Sequence, residues 1–178
     1  MRGLFIAAAL AIPVTAGAHP HRYIDQQVQL SVGIEAVDMT VVIVPSTQDG
    51  AAMYSHIDSD GDGVVSDQEA QAFGADVLAA TELTVDGRAF VFAPADVKVP
   101  EADAVAKGTA AIIVNASAHV SLAGREAHRL DFGISYEAFS HDWFVQPFIH
   151  PDLLENTSSP SVDRTGGEGK VVIRFSSP

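Results

Sequence analysis

Three aspartates at alternate positions, Asp58, Asp60 and Asp62, followed by Gly63, Val64, Ser66 and Glu69, carry the clearest chemistry in this sequence. Ca²⁺ is a hard ion that takes six to eight oxygens from carboxylates, carbonyls and waters. The spacing puts the Asp58, Asp60 and Asp62 carboxylates on one concave side, and Val64 offers its backbone carbonyl. Ser66 stands where a side chain commonly acts through a water, and Glu69 where a carboxylate binds with both oxygens. Gly63 permits positive φ at the sharp turn. Val65 is the apolar residue that would form the short strand of such a loop.

Asp58 to Glu69 thus fills every specified position of the EF-hand pattern. Tyr54 and Ile57 before it, and Phe73 and Val77 after it, fall on helix faces that would pack together. Two blander readings stand beside this one. The segment is also a plain Asp-Gly surface turn by composition, and a bound calcium can simply hold structure together. Calcium sensing usually uses paired loops, and only one is visible. Extracellular modules bind calcium in the 10⁻⁴ to 10⁻³ M range, where ambient calcium keeps a site filled. Structural calcium is favoured over signalling, although pairing with another molecule's loop would give a calcium-dependent dimer.

Histidine is the second candidate ligand. Cleavage after Ala18 would leave His19-Pro20-His21 at the mature N-terminus. There an α-amine and two imidazoles suit Cu²⁺, Ni²⁺, Co²⁺ or Zn²⁺. Pro20 lacks the amide hydrogen that an N-terminal amide chelate needs, so His19 and His21 must recruit distant ligands. His56, His119, His128, His141 and His150 are available, with Asp142 and Asp152 near the last two. Scattered histidines are as readily surface or hydrogen-bonded core residues. His56 in particular suits a helix C-terminus.

Other arrangements read as structural. Ser140-His141-Asp142 holds the residue types of a hydrolase triad, but adjacent residues point in different directions. No Gly-x-Ser-x-Gly elbow occurs. Gly166-Gly167-Glu168-Gly169-Lys170 lacks the first Gly and the Ser or Thr of a phosphate loop, so it reads as a turn. Trp143, Phe144 and Phe148 read as core.

The 178 residues contain 10 Lys and Arg against 23 Asp and Glu, a formal charge of −13. That balance repels nucleic acid and anionic membrane surfaces and attracts cations. Arg2, the apolar run from Leu4 to Val14 and the small residues Ala16-Gly17-Ala18 read as an export signal. Its removal would take Arg2 away and move the charge from −13 to −14. The expected product is a periplasmic or secreted chain of residues 19–178 without a transmembrane segment. Cysteine is absent, which excludes disulfides, thiolate metal sites and a lipid-bearing cysteine.

The elements that must position these residues follow from periodicity. Residues 23–32 alternate apolar and polar as a half-buried strand, and residues 36–44 are its β-branched partner, stopping at Pro45. Ser46 opens a capping pattern with Asp49, followed by Ala51, Ala52, Tyr54 and Ile57 at helical spacing. A second helix is expected over 69–81, then a hairpin over 83–92 turning on Asp86-Gly87. Strand signals return at 109–122, 128–135, 143–149 and 170–175, with loops at 94–107 and 156–169. The expected fold is mainly β: a β-sandwich (Ig-like) with an EF-hand helix-loop-helix inserted at 46–81.

His19-Pro-His-Arg-Tyr-Ile-Asp25, the two strands, the Asp-Gly-Asp-Gly loop with its helix, and Leu83-Thr-Val-Asp-Gly-Arg88 carry a family resemblance. The chain resembles bacterial periplasmic proteins of unknown function associated with nickel/cobalt transporters. It is also similar to extracytoplasmic domains of nickel/cobalt permease-like proteins of the HupE/UreJ type. The resemblance covers most of 19–92, with Ser140-His-Asp-Trp143 a fainter echo beyond. It implies transition-metal binding at His19 and His21, calcium at the loop and no catalysis. This chain departs from the permease-like form in having no membrane segments, so the resemblance implies an accessory role beside a membrane metal transporter.

The functional expectation is an exported calcium-binding protein, not an enzyme, that assists nickel/cobalt or other divalent metal handling. The alternative is an envelope protein-interaction module in which calcium is only structural. An enzyme with a copper or zinc site on His19 would need an open coordination position.

Overall fold

The computed structural model describes residues 23–93, 96–122, 127–155, 157 and 160–175. The segment read as an export signal, residues 1–18, and the candidate ligands His19 and His21 lie outside the described residues. The chain begins with β1 (Asp25–Val32) and β2 (Ala36–Val44), an antiparallel hairpin in full register from Asp25 with Val44 to Val32 with Val37. Along both strands burial alternates residue by residue, which is the physical content of the sequence pattern. Val28, Leu30 and Val32 face inward with Val37, Met39, Val41 and Ile43.

The chain then leaves the sheet for two helices, α1 (Gly50–Ile57) and α2 (Asp67–Ala79). It enters a second sheet through β3 (Thr81–Val85) and β4 (Arg88–Phe90). Asp86 and Gly87 between them have φ of 51° and 79°, the left-handed pair a tight hairpin turn requires. β5 (Val97–Lys98), α3 (Ala102–Ala106) and β6 (Ile112–His119) return to the first sheet. β7 (His128–Ile134) joins the second and β8 (Phe144–Ile149) the first. After α4 (Pro151–Leu154), β9 (Ser161–Asp163) and β10 (Lys170–Phe175) complete the second.

Each sheet has five strands, in the orders β5-β6-β2-β1-β8 and β4-β3-β7-β10-β9. β8 runs parallel to β1, and the other pairs are antiparallel. The fold is mainly β. Inward residues of both sheets, with Met53, Ile57, Phe73 and Val77 of the helices, belong to one hydrophobic cluster. No helix among the described residues is long and apolar enough to cross a membrane.

Several elements differ from the sequence reading. α1 starts at Gly50 because Ser46 folds a turn first: its hydroxyl accepts from the Gln48 and Asp49 amides and donates to Asp49 Oδ2. α2 starts two residues early, capped by Ser66. The segment read as loop 94–107 contains β5 and α3, and that at 156–169 contains β9. Trp143 is buried at 6% exposure, as expected, but Phe144 and Phe148 stand 52% and 51% exposed. The reason is position: β8 is an edge strand, and its residues 144, 146 and 148 alternate away from the core.

Candidate metal centre

Residues 58–66 connect the C-terminal end of α1 to the N-terminal end of α2, so both helices aim their termini at the same acidic segment. Carboxylate oxygens of Asp58, Asp60 and Glu69 lie within 4.8 Å of one another. Asp58 and Glu69 are buried, and Asp60 is exposed. The arrangement is built by the loop's own backbone. Asp58 accepts from the amides of Gly61 and Gly63, each at 3.0 Å. Asp60 accepts from the Asp62 amide at 3.1 Å and Asp62 from the Val64 amide at 2.8 Å. Gly61 and Gly63 have φ of 72° and 88°, conformations that would strain a residue bearing Cβ.

Glu69 is the most heavily bonded carboxylate. Oε1 accepts from the Ser59 amide, the Ser59 hydroxyl and the Asp60 amide, and Oε2 from the Ser66 amide and hydroxyl. Ser66 Oγ in turn accepts from the Glu69 amide, closing a reciprocal cap at the start of α2. These donors, the Ser66 amide foremost, lower its pKa from 4.5 to about 2 against an opposing push from burial. Glu69 is therefore a carboxylate throughout the neutral range. Because it reaches from the first turn of α2 back to residues 59 and 60, it ties the two ends of the loop together.

The other expected ligands are placed differently. Asp62 is exposed and outside the convergent trio, and Val64 is an exposed residue. Ser66 uses its hydroxyl in the cap. Two contributors were not legible in the sequence. Tyr54 read only as an apolar face residue, yet its hydroxyl donates to the Gly63 carbonyl at 3.3 Å and accepts from the Val65 amide at 3.1 Å. Ser59 occupies an unspecified loop position and supplies two bonds to Glu69. Neither contact has a spacing signal.

The donor set is all oxygen and carries three carboxylates, the chemistry a hard divalent cation selects over softer transition metals. Its surroundings reinforce this. Between Arg22 and Arg88 the sequence holds neither lysine nor arginine, so no cationic side chain from the hairpin or helix pair competes for these carboxylates.

The histidines do not converge. His56 lies in the last turn of α1, its Nε2 3.4 Å from the Tyr136 hydroxyl and its ring edge-on to Phe139. His128 Nδ1 lies 2.8 Å from Asp86 Oδ2, and its buried Nε2 has no partner among the described residues. His141 pairs with Glu137 at an exposed position, and His150 meets Ser31 Oγ at 3.0 Å. His119 is exposed at the end of β6. Asp142 is exposed near His141, and Asp152 receives the Ile34 amide beside His150. Among the described residues only Asp58, Asp60 and Glu69 form a group of three or more potential metal ligands. Ser140, His141 and Asp142 make no triad: the Asp142 amide donates to Ser140 Oγ, and His141 turns to Glu137.

No protein-family model, curated protein or solved structure matches this chain.

Proposed function

We propose that this chain is an exported calcium-binding protein, with residues 58–69 acting as an EF-hand loop inserted in an Ig-like β-sandwich. The observation that carries the reading is the convergence of Asp58, Asp60 and Glu69 within 4.8 Å at the junction of two helices. Asp62, the Val64 carbonyl and Ser66 complete the ligand set by the loop pattern. A bound Ca²⁺ supplies positive charge that neutralises the converging carboxylates. Glu69 and Tyr54 already staple the loop through hydrogen bonds, so the ion adds to a brace rather than operating a switch. The alternating burial of both sheets around one core supports the sandwich.

For biological role, we infer an accessory factor in nickel/cobalt or other divalent metal handling, working beside a membrane metal transporter after signal cleavage near Ala18. The His19-Pro-His21 start and the family resemblance support this. The second reading, an envelope interaction module with purely structural calcium, is favoured by the dispersal of the five described histidines. Both are binding functions and neither is catalytic.

The test is calcium titration of wild type and Glu69→Gln by calorimetry, with elemental analysis for calcium, nickel, cobalt, copper and zinc. The variant is expected to lose at least about tenfold in calcium affinity, because a carboxylate that binds with both oxygens becomes an amide. Unchanged affinity removes the calcium assignment. Near-stoichiometric transition metal beside calcium supports metal handling, and calcium alone supports the interaction module.

A further inference from the structure

The two helices that carry the acidic loop are held by the sandwich rather than by each other. They touch only sparingly, and α1 packs instead on α3. One chain segment, residues 97–106, grips both. Gly50 at the start of α1 lies so close to the Val105 carbonyl of α3 that a Cβ has no room there. Gly74 within α2 lies so close to β5 that a Cβ would stand 2.5 Å from Val97 Cγ2. A second segment, between β7 and β8, also grips both. Phe139 meets the His56 ring of α1 edge-on with centroids 5.3 Å apart and stacks on Phe73 of α2 at 6.0 Å. Tyr136 packs edge-on to Phe73 at 5.9 Å and brings its hydroxyl to 3.4 Å from His56 Nε2. Its own backbone is fixed by Trp143, whose indole donates to the Tyr136 carbonyl at 2.7 Å.

The candidate ligands sit at the ends of these anchored helices. Asp58 follows the last residue of α1, and Glu69 stands in the first turn of α2. We propose that Val97, Val105, Tyr136 and Phe139 set the size of ion the loop accepts, so that it takes Ca²⁺ and discriminates against Mg²⁺. This rests on the calcium reading of residues 58–69 and assigns the cause of its selectivity. The four residues act by position, not as ligands.

Ca²⁺ holds its oxygens at about 2.3 to 2.6 Å in irregular geometry, whereas Mg²⁺ requires about 2.0 to 2.1 Å in a near-ideal octahedron. Ligands on opposite sides of the ion must close by roughly 0.8 Å to exchange the first for the second. Asp58 is a short side chain held by the Gly61 and Gly63 amides, so the movement falls to the helices. Drawing α1 and α2 together by that distance pulls each off the two segments that grip it. A gap of about 0.5 to 1 Å already forfeits a quarter to a half of the attraction in a packed contact. The site therefore keeps its span, and Mg²⁺ is left with waters in place of protein oxygens.

The experiment is calorimetric titration with Ca²⁺ alone and with Mg²⁺ alone, on wild type, Val97→Ala, Phe139→Ala and the double variant. Both side chains are only partly buried, and circular dichroism melts confirm that the variants fold. Wild type should prefer Ca²⁺ by at least about 100-fold, and the double variant should lose at least about tenfold of that preference, through weaker Ca²⁺ and unchanged or tighter Mg²⁺. Val171→Ala, in the core on the second sheet, should lower Tm and leave the preference as it was. A preference unmoved in the double variant, or moved as far by Val171→Ala, overturns the proposal and leaves calcium binding at the loop standing. So does a wild type that binds both ions equally. A wild type that binds no calcium overturns the proposal together with the reading on which it rests.

Discussion

Replacing Tyr54 by phenylalanine removes one oxygen and leaves the ring packed. Its hydroxyl makes two bonds to the far half of the acidic loop, donating to Gly63 O and accepting from the Val65 amide. The two losses are unequal. Gly63 is exposed, so its carbonyl recovers a water and costs about 0.5 kcal/mol. Val65 is partly buried, and its amide loses an acceptor at a cost of about 1 kcal/mol. The sum, about 1.5 kcal/mol, lowers Tm by about 3 to 6 °C for a domain of this size. Differential scanning calorimetry in chelator should show that drop. Calcium titration should show weaker binding by a few fold, because the loop carrying Gly63 and Val64 is less restrained. An unchanged Tm in chelator, together with unchanged calcium affinity, would refute the argument that this hydroxyl braces the loop.

Asp86 supplies a pH dependence. Burial pushes its pKa up, but hydrogen bonds from His128 and the Arg129 amide outweigh it and hold it below 3.8. A lowered folded-state pKa gives stability that is present above the unfolded value and lost as pH falls through the folded one. Urea midpoints should therefore fall below about pH 4, the ordinary Asp range, and Asp86→Asn should flatten that fall while tolerating the left-handed backbone. Gly50→Ala should destabilise by about 1 to 3 kcal/mol, since its Cβ would run into the Val105 carbonyl where α1 meets α3. Its chemical denaturation midpoint checks this, and a wild-type midpoint would mean that α3 moves freely.

Much of the framework was legible because the period of two is unambiguous where one strand face is buried. β2 and β10 match their expected limits, since each is a β-branched run with a sharp change of composition at its end. Glu69 and Asp58 were legible because loop spacing fixes them. What escaped depends on distance through space. Phe144 looks apolar whether its strand is central or at an edge, and only pairing order decides. β5 has two residues, too short for any period. Tyr54 announces its ring through helical spacing but not the target of its hydroxyl. Ser46 and Ser66 illustrate the same limit at helix ends. Both are good cap residues, but Ser46 closed a turn on Asp49, whereas Ser66 capped α2 through Glu69.

The strands at the rims of the two sheets have a consequence for polymerisation. β5 has two residues, and β4 and β9 have three each. β8, the longest of them, carries Pro147 in its interior, where no amide hydrogen is available for an incoming strand. Such edges are poor templates for adding a neighbour's strand end to end, the step that seeds cross-β fibrils. Transient opening of the fold therefore does not hand a growing fibril its first rung.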